Sequence, residues 1–475
     1  MMSNSGDSRR ISALSWGVPD PTPVLFMVAV ALAWILVGSD SGPGRLIAIA
    51  VVALPAVIWL GKKVISRPEA AVILIVVAGA IPRLFIEIGG LKARPEHVSA
   101  GILCLAIPLL IKNRHLSPEW IKADLLLAGY VVVNIVSSSR SIDPGQTIKW
   151  SLQQMLAILP YFFLRVLAGN FTTLRRTFRI FLAVGIAEAA FGIFCFYANV
   201  IFNSEIGMEI GQYGDFSGTY GLQFEANILG SYCGVCSVIL LAMFLYYRRR
   251  EFLMGYVITL TGMSISLSRG ALGATILGFG ALLFFGWRRK LLNRSVLFSV
   301  GAATLCAMLV VMPLLISRYT ERFKNVDVSD PMADDNTFTR FVQFGLAFES
   351  FLEHPMLGAG TSSFQLEISN ADLGFESDVF WISNSELRIL HDTGLVGFGL
   401  FAVFIGIVLT KAYKALKMRF RPELFGLLTG LIVYLAAFQF TEGTLLSFTW
   451  IHIGLIACFI VIQKADGSND RLEIA

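Results

Sequence analysis

Charge is what this chain has least of. Of its 475 residues only 15% are Asp, Glu, Lys or Arg, while 55% are hydrophobic; soluble domains carry roughly 25% charged residues. So little charge cannot give so much apolar surface a water-facing shell, which excludes two or three soluble domains of ordinary size. Cysteine is scarce too, and its placement excludes more. Cys104, Cys195, Cys233, Cys236, Cys306 and Cys458 all lie inside apolar runs, where thiols act as small hydrophobes rather than as a disulfide framework. Cys233-x-x-Cys236 has redox spacing but no soluble βαβ context. No basic face exists either: the net charge of +5 comes from residues scattered between apolar runs, which argues against a nucleic-acid partner. The apolar content also excludes disorder.

What is present is a succession of apolar runs, about fourteen of them, each near the length a bilayer core demands. They fall near 22–38, 46–61, 70–88, 98–111, 124–138, 148–168, 178–202, 226–247, 253–267, 270–287, 296–317, 387–410, 423–439 and 446–462. The fold class is therefore an all-α polytopic membrane protein with about 12–14 transmembrane helices and one large outside loop. Lys and Arg gather in alternate connections, for example Lys62–Lys63, Arg248–Arg249–Arg250, Arg288–Arg289–Lys290 and Lys411–Lys414–Lys417. The positive-inside rule places those in the cytoplasm, with both termini. The organisation expected is a cytoplasmic tail (1–21), a transmembrane bundle (22–317), a large extracytoplasmic loop with an amphipathic helix (318–386), C-terminal spans (387–463) and a second cytoplasmic tail (464–475). Arg9–Arg10 before an apolar run resembles a signal peptide. Gly38–Ser39–Asp40–Ser41 after it is no Ala-x-Ala site, so the run reads as a retained span.

Two outside segments carry chemistry-bearing residues. The first, near 203–225, holds Glu205, Glu209, Asp215 and Glu225 among glycines. The second, 318–386, is long enough to be functional. After an acidic start, Asn336–Thr337 offers an N-cap. Phe338, Phe341, Phe344, Phe348, Phe351 and Leu352 then recur at helical spacing until His354–Pro355 stops them. Such a helix suits the membrane interface, or a plain lid on the bundle. Arg340 lies in it, along or away from the aromatic stripe. Arg269 stands in the short outside turn Ser266-Leu-Ser268-Arg269-Gly270, at the start of the next helix. Ser268, Arg269 and Gly270 together make an anion site, since guanidinium binds phosphate oxygens two at a time and a helix N-terminus is partly positive. The competing role for either arginine is snorkelling to lipid headgroups.

The order of four stretches resembles the O-antigen ligase and Wzy polymerase superfamily of membrane glycosyltransferases. They are Gly218-Thr-Tyr-Gly-Leu-Gln-Phe-Glu-Ala-Asn-Ile-Leu-Gly230, Ser266-Leu-Ser-Arg-Gly270, the Arg340…His354-Pro-Met-Leu-Gly-Ala-Gly360 loop helix and Asn384-Ser-Glu-Leu-Arg-Ile-Leu-His-Asp-Thr-Gly-Leu-Val-Gly397, together spanning roughly 215–400. The resemblance implies glycan transfer from an undecaprenyl-diphosphate-linked oligosaccharide to a glycan acceptor at the outer face of the cytoplasmic membrane. Its implied partners are membrane lipids and a chain-length regulator, with no cofactor, metal or nucleotide.

Arg269 and Arg340 would stabilise charge developing on the lipid diphosphate. The acceptor hydroxyl also needs a base. Where ligases of the family carry His before Asn, this chain has Ser383 before Asn384, which favours polymerisation over ligation and leaves the base open. Glu386 is the first choice, Glu225 the second, with His391–Asp392 further along the helix. The expected catalytic set is Arg269, Arg340 and Glu386; Glu225, Asn227, Ser268, Ser383, Asn384 and Arg83 are expected to bind substrate.

Glu188 and His452 sit at membrane depth, where an ionisable group is either functional or paired inside the bundle. Arg83 and Glu87 read as one helical turn apart, able to pair or to hold phosphate. Gly270, Ala274 and Gly278 read as a packing stripe. A transporter or flippase is the alternative of another class, but no internal repeat is present and the distinctive residues lie outside. An inactive scaffold of the same fold is the third alternative, with the missing His its only argument.

Overall fold

The computed structural model describes residues 64, 68–83, 86–88, 91–114, 119–210, 216–324, 335–370 and 381–472. The runs expected at 22–38 and 46–61, the first tail, and Asp327, Asp330 and Asp334 of the loop's acidic start lie outside them. The described chain is helical almost throughout. In order it runs α1 (Pro68–Gly79), β1 (Ile86–Ile88), β2 (Leu91–Ala93), α2 (Pro95–Arg114), α3 (Lys122–Ser138), α4 (Pro144–Leu167) and α5 (Phe171–Phe202). Then come β3 (Met208–Ile210), β4 (Phe216–Thr219), α6 (Ala226–Tyr247), α7 (Arg250–Ile265), α8 (Arg269–Arg288) and α9 (Arg294–Lys324). The rest is α10 (Asp335–Glu353), α11 (Phe364–Asn370), α12 (Ser385–Met418), α13 (Pro422–Ala437) and α14 (Ser447–Leu472). The strands form two antiparallel pairs, β1 with β2 and β3 with β4.

Eleven of the twelve expected runs within the described residues fall on a helix, and the run at 70–88 does so only as far as Gly79. Among those residues five helices are long and apolar enough to cross a membrane: 95–112 of α2, and α5, α6, α8 and α12. The protein is thus an all-α polytopic membrane protein. Helix starts follow local chemistry: Asp143, Asn170, Ser268 and Asn384 each accept from a backbone N–H three residues on, and Pro144 opens α4 where its missing N–H costs nothing.

One expectation fails. The run at 70–88 is not a single helix, because α1 stops at Gly79 and residues 86–88 enter a hairpin. Arg83 and Glu87 therefore do not share a helix face. The apolar residues Ile86 and Ile88 continued the hydropathy signal, but in a strand rather than a span.

Helix α6 sets the architecture. It is apolar on every side, as a helix with no solvent face must be, and its membrane-length window is wholly buried inside the bundle. It packs against α7, α8, α13 and α5. α5, with 32 residues, is about 48 Å long, some 18 Å more than a bilayer core of about 30 Å requires. The connection from α5 to α6 returns along that excess, so that the backbone N–H of Leu222 reaches the Glu188 carboxylate, 3.0 Å away on α5.

α12 is broken at Gly394, which takes φ +62° and ψ −166°. The break is matched to the loop preceding it. Gly358, at φ +73°, lies against the backbone of residues 391–393, and a Cβ there would fall 2.4 Å from the Asp392 carbonyl carbon. A Cβ on Gly394 would fall 2.4 Å from that of Met356. Four backbone hydrogen bonds close the contact: Ala359 to His391, Gly360 to Asp392, Leu395 to Pro355 and Val396 to Met356, at 2.8–3.2 Å. Only glycine allows two backbones this close in these conformations.

Candidate active site

The site lies at the N-terminal end of the buried helix α6. Arg83 donates to the carbonyls of Gln223 (3.5 Å) and Phe224 (3.2 Å) and stacks on Tyr220, its guanidinium carbon 3.5 Å from the ring centroid. Gln223 donates to the Ala80 carbonyl at 2.8 Å. With the Glu188 bond, these staples fix residues 220–224 and deliver Glu225 and Asn227 to one place. Glu225 occupies the N-cap position of α6 but makes no capping hydrogen bond. Glu209, from the β3–β4 hairpin, takes that duty, its carboxylate accepting from the Ala226 N–H at 3.0 Å. The Glu225 carboxyl is left to face a cavity.

Two cavities meet there. The first, about 510 Å³, is walled by Asn227 and Ser231 of α6, by Ser268, Arg269 and Gly273 at the start of α8, by Ala436 and Ala437 at the end of α13, and by Glu209 and Arg340. The second, about 470 Å³, is walled by Glu225, Arg94, Trp150, Trp381, Ser383 and Glu442, among others. Asn227, Arg340, Phe440 and Thr441 belong to both walls. Arg340 is half-buried on α10, at the border of the exposed face that carries Phe338 and Phe341; the side away from Phe338, which it shares with Ala347, buries Ala347 against Phe364, Ile368 and Ile382. The packed face agrees with the lid reading, and the exposed face carries Phe338, Phe341, Phe348 and Leu352.

Ser268 is buried and its hydroxyl accepts from the Ala271 N–H at 3.1 Å, capping α8, which begins one residue earlier than the sequence indicates. The first cavity thus sets two guanidinium groups and a helix N-terminus against one carboxylate. In the second, the Glu225 carboxyl is pushed above the ordinary carboxylate range. Burial among protein walls is the main cause, the Glu209 charge adds to it, and the Arg340 guanidinium opposes it.

The structure brings together six of the nine residues singled out from sequence: Arg269, Ser268, Asn227 and Arg340 around the first cavity, and Glu225, Asn227, Arg340 and Ser383 around the second. It does not bring Arg83, Asn384 or Glu386 to either wall. Arg83 is occupied by the loop it staples. Asn384 caps α12 by accepting from Leu387 N–H (2.8 Å) and donates to Gln439. Glu386, beside Gln439, has one buried carboxylate oxygen without a partner. The Ser383 hydroxyl donates to Gln343 of α10 at 2.9 Å.

His391 and Asp392 are also absorbed into structure. Asp392 accepts from Arg388 (3.0 Å), from His391 (2.9 Å) and from the Ser362 N–H (2.9 Å), while His391 meets Glu367 at 3.2 Å. Burial would raise the Glu367 carboxyl, but hydrogen bonds and charge from His391, with the hydroxyls of Ser350 and Ser363, hold it below its ordinary value. This knot ties α11 and α12 to the clamp at Gly358. The ring of His452 bonds to the Leu427 carbonyl at 2.8 Å inside the bundle, and Glu188 is spent on the 220–224 loop. Both are structural.

Sequence reading missed Arg94, Trp150 and Glu442. Glu442 had a usable signal, an acidic residue in a short turn between two apolar runs. Arg388 anchors one of its carboxylate oxygens at 3.0 Å, and the other has no partner.

Residues 254–402 match a protein-family model described as O-antigen ligase. That segment is similar to O-antigen ligases. A comparison with curated proteins gives no match. The family segment contains Ser268, Arg269, Arg340, Ser383 and the clamp between Gly358 and Gly394, so it supplies the guanidinium groups of the first cavity. Glu225, Asn227, Arg94 and Glu442 come from outside it. The match suggests glycan transfer of the O-antigen ligase type.

Proposed function

We propose that this protein transfers a glycan from an undecaprenyl-diphosphate carrier to an acceptor hydroxyl at the outer face of the cytoplasmic membrane, as a polymerase of surface polysaccharide repeat units. The observation that carries the reading is the position of Arg340, on the wall common to both cavities. On one side of it stand Arg269 and the N-terminus of α8, groups suited to a diphosphate. On the other stand Glu225 and a polar, aromatic wall suited to a sugar. Gly273, Ala274 and Leu277 give the first cavity an apolar wall along α8, which suits the start of a polyprenyl tail.

In the step proposed, the acceptor oxygen attacks the anomeric carbon of the donor sugar. The bond from that carbon to the phosphate oxygen breaks, and its electron pair leaves with the carrier diphosphate. Arg269 and Arg340 stabilise the charge that develops there, in a site that needs no reorganisation as the bond breaks. The acceptor proton passes to a carboxylate. Glu225 is better placed for this than Glu386, because it lines the second cavity beside Arg340 whereas Glu386 lies off both walls. Polymerisation is favoured over ligation by Ser383, whose hydroxyl is committed to Gln343 and supplies no base where a ligase-type His would stand.

The test is reconstitution of the purified protein in nanodiscs with undecaprenyl-diphosphate-linked repeat units. A ladder of lengthening products with release of undecaprenyl diphosphate is the expected result. Single transfer to a lipid or protein acceptor would move the assignment to ligation. Passage of intact carrier across the bilayer without its release would move it to a flippase.

A further inference from the structure

The second cavity carries more information than the base it contains. Gln146, Trp150 and Gln153 of α4 all line it. Spaced four and three residues apart, they occupy one helix face and form a polar–aromatic row in the first turns of α4. Across the cavity stand Trp381, which is 49% exposed, and Gln365 of α11. The Gln365 amide nitrogen and one Glu442 oxygen are buried without a hydrogen-bond partner. Terminal amide and carboxylate torsions are soft, so small rotations would turn both toward a ligand in the cavity. Buried polar atoms without partners are rare and call for an explanation, which a ligand rich in hydroxyls provides. The formal charges of the wall cancel, with Arg94 and Arg340 set against Glu225 and Glu442. At about 470 Å³ the cavity is of ligand-site size.

We infer that this cavity is the acceptor-glycan subsite, with Trp150 and Trp381 as stacking platforms for neutral sugar rings and Gln146, Gln153 and Gln365 as readers of their hydroxyls. The inference rests on the glycan-transfer reading above and deepens it by naming what the acceptor side recognises. A pyranose ring is amphipathic in the way the wall is. Its C–H face is apolar and packs on an indole, while its rim presents hydroxyls that both donate and accept, as primary amides do. The first cavity differs in kind, because two guanidinium groups face a single carboxylate there. The two lobes therefore divide the labour by charge: diphosphate on the Arg269 side, uncharged sugar on the Trp150 side.

Two probes test the assignment on the full chain in nanodiscs: undecaprenyl diphosphate alone, and the soluble oligosaccharide repeat unit released by mild acid from the producing cell's own polysaccharide. Binding is read for each, and KM and kcat for transfer are measured with the soluble oligosaccharide as acceptor. Trp150→Ala is expected to weaken oligosaccharide binding and raise the acceptor KM by about tenfold. Undecaprenyl diphosphate binding and kcat should stay near wild type. Trp150→Phe, which keeps a flat ring and guards against misfolding, should recover most of the loss, and Gln153→Ala should lie between. Oligosaccharide affinity should change little with salt, because the wall carries no net charge. If the wild-type chain binds undecaprenyl diphosphate and transfers glycan, yet Trp150→Ala and Gln153→Ala keep wild-type acceptor KM, the subsite assignment is overturned while the transfer reading stands. If the wild-type chain binds neither probe, the transfer reading itself falls.

Discussion

Replacing Arg340 should change two observables at once, because this side chain lines both cavities and, in the transfer step proposed, faces a developing anion in one and a carboxyl in the other. In the first it would be, on the proposed mechanism, a preorganised donor to the leaving diphosphate; loss of one such donor costs about 2.7–4 kcal/mol of transition-state stabilisation, or roughly 10²–10³ in kcat. In the second its charge opposes burial and the Glu209 charge, which together raise the Glu225 carboxyl. Arg340→Ala removes that opposition, so Glu225 would take up its proton at a still higher pH. A base must be ionised to work, and the acid limb of the pH–rate profile should therefore move to higher pH as the rate falls. Acid unfolding through this group cannot imitate the effect. A carboxyl whose folded-state pKa is raised favours the fold when protonated, so the stability it contributes is lost as pH rises, not as it falls. Arg340→Lys separates the two roles: it keeps the charge and the position of the limb but loses the two-pronged contact, and should recover only part of the rate. Initial rates of undecaprenyl diphosphate release between about pH 5 and pH 8 measure both. Arg340→Ala with the wild-type rate and an unmoved acid limb would refute the reasoning.

Other substitutions probe the remaining parts. Glu225→Gln should lower kcat by about 10²–10⁴ with donor binding unchanged, and Glu209→Gln should shift the acid limb to lower pH; equal rates for Glu225→Gln and wild type would remove Glu225 as the base. Ser268→Ala removes the α8 cap and should cost about 1 kcal/mol of stability, read as a lowered Tm in detergent. Gly394→Ala forces a side chain into the Met356 backbone and should abolish folded protein in size-exclusion profiles, whereas Gly399→Ala, with open space around it, should be tolerated. Impermeant thiol reagents applied to intact cells should label Phe338→Cys and not Lys290→Cys; the opposite pattern would invert the orientation proposed.

Much of the fold was legible because bilayer insertion imposes a coarse rule, an apolar run per helix, that hydropathy alone detects. It failed at 80–93, where Ile86 and Ile88 kept hydropathy high across a chain that had already left its helix. The site was partly legible. Arg269 and Arg340 stood out as charges in otherwise uncharged surroundings, and the structure places both on one cavity. Glu386 and Asn384 were singled out by their distance in sequence from Ser383. In space Asn384 turns back to cap its own helix, and Glu386 lies off both cavities. Trp150 and Glu442 were not legible, because they come from α4 and the turn after α13, far along the chain, and only the tertiary packing sets them facing Glu225.

The clamp between Gly358 and Gly394 gives α10 one pinned end. Its four backbone hydrogen bonds pin the chain just beyond the C-terminal end of α10, while Arg340 lies toward the other end, about 20 Å from Glu353 at 1.5 Å per residue. A tilt of ten degrees about that fulcrum would carry the guanidinium by about 3 to 4 Å, the difference between touching a phosphate and standing clear of it. Gln343 sits on the same helix and accepts from the Ser383 hydroxyl, while Ala347 packs on Phe364, Ile368 and Ile382, so both contacts bear on the helix's angle. The serine that stands where a ligase would carry histidine thus contacts, through Gln343, the helix that carries Arg340.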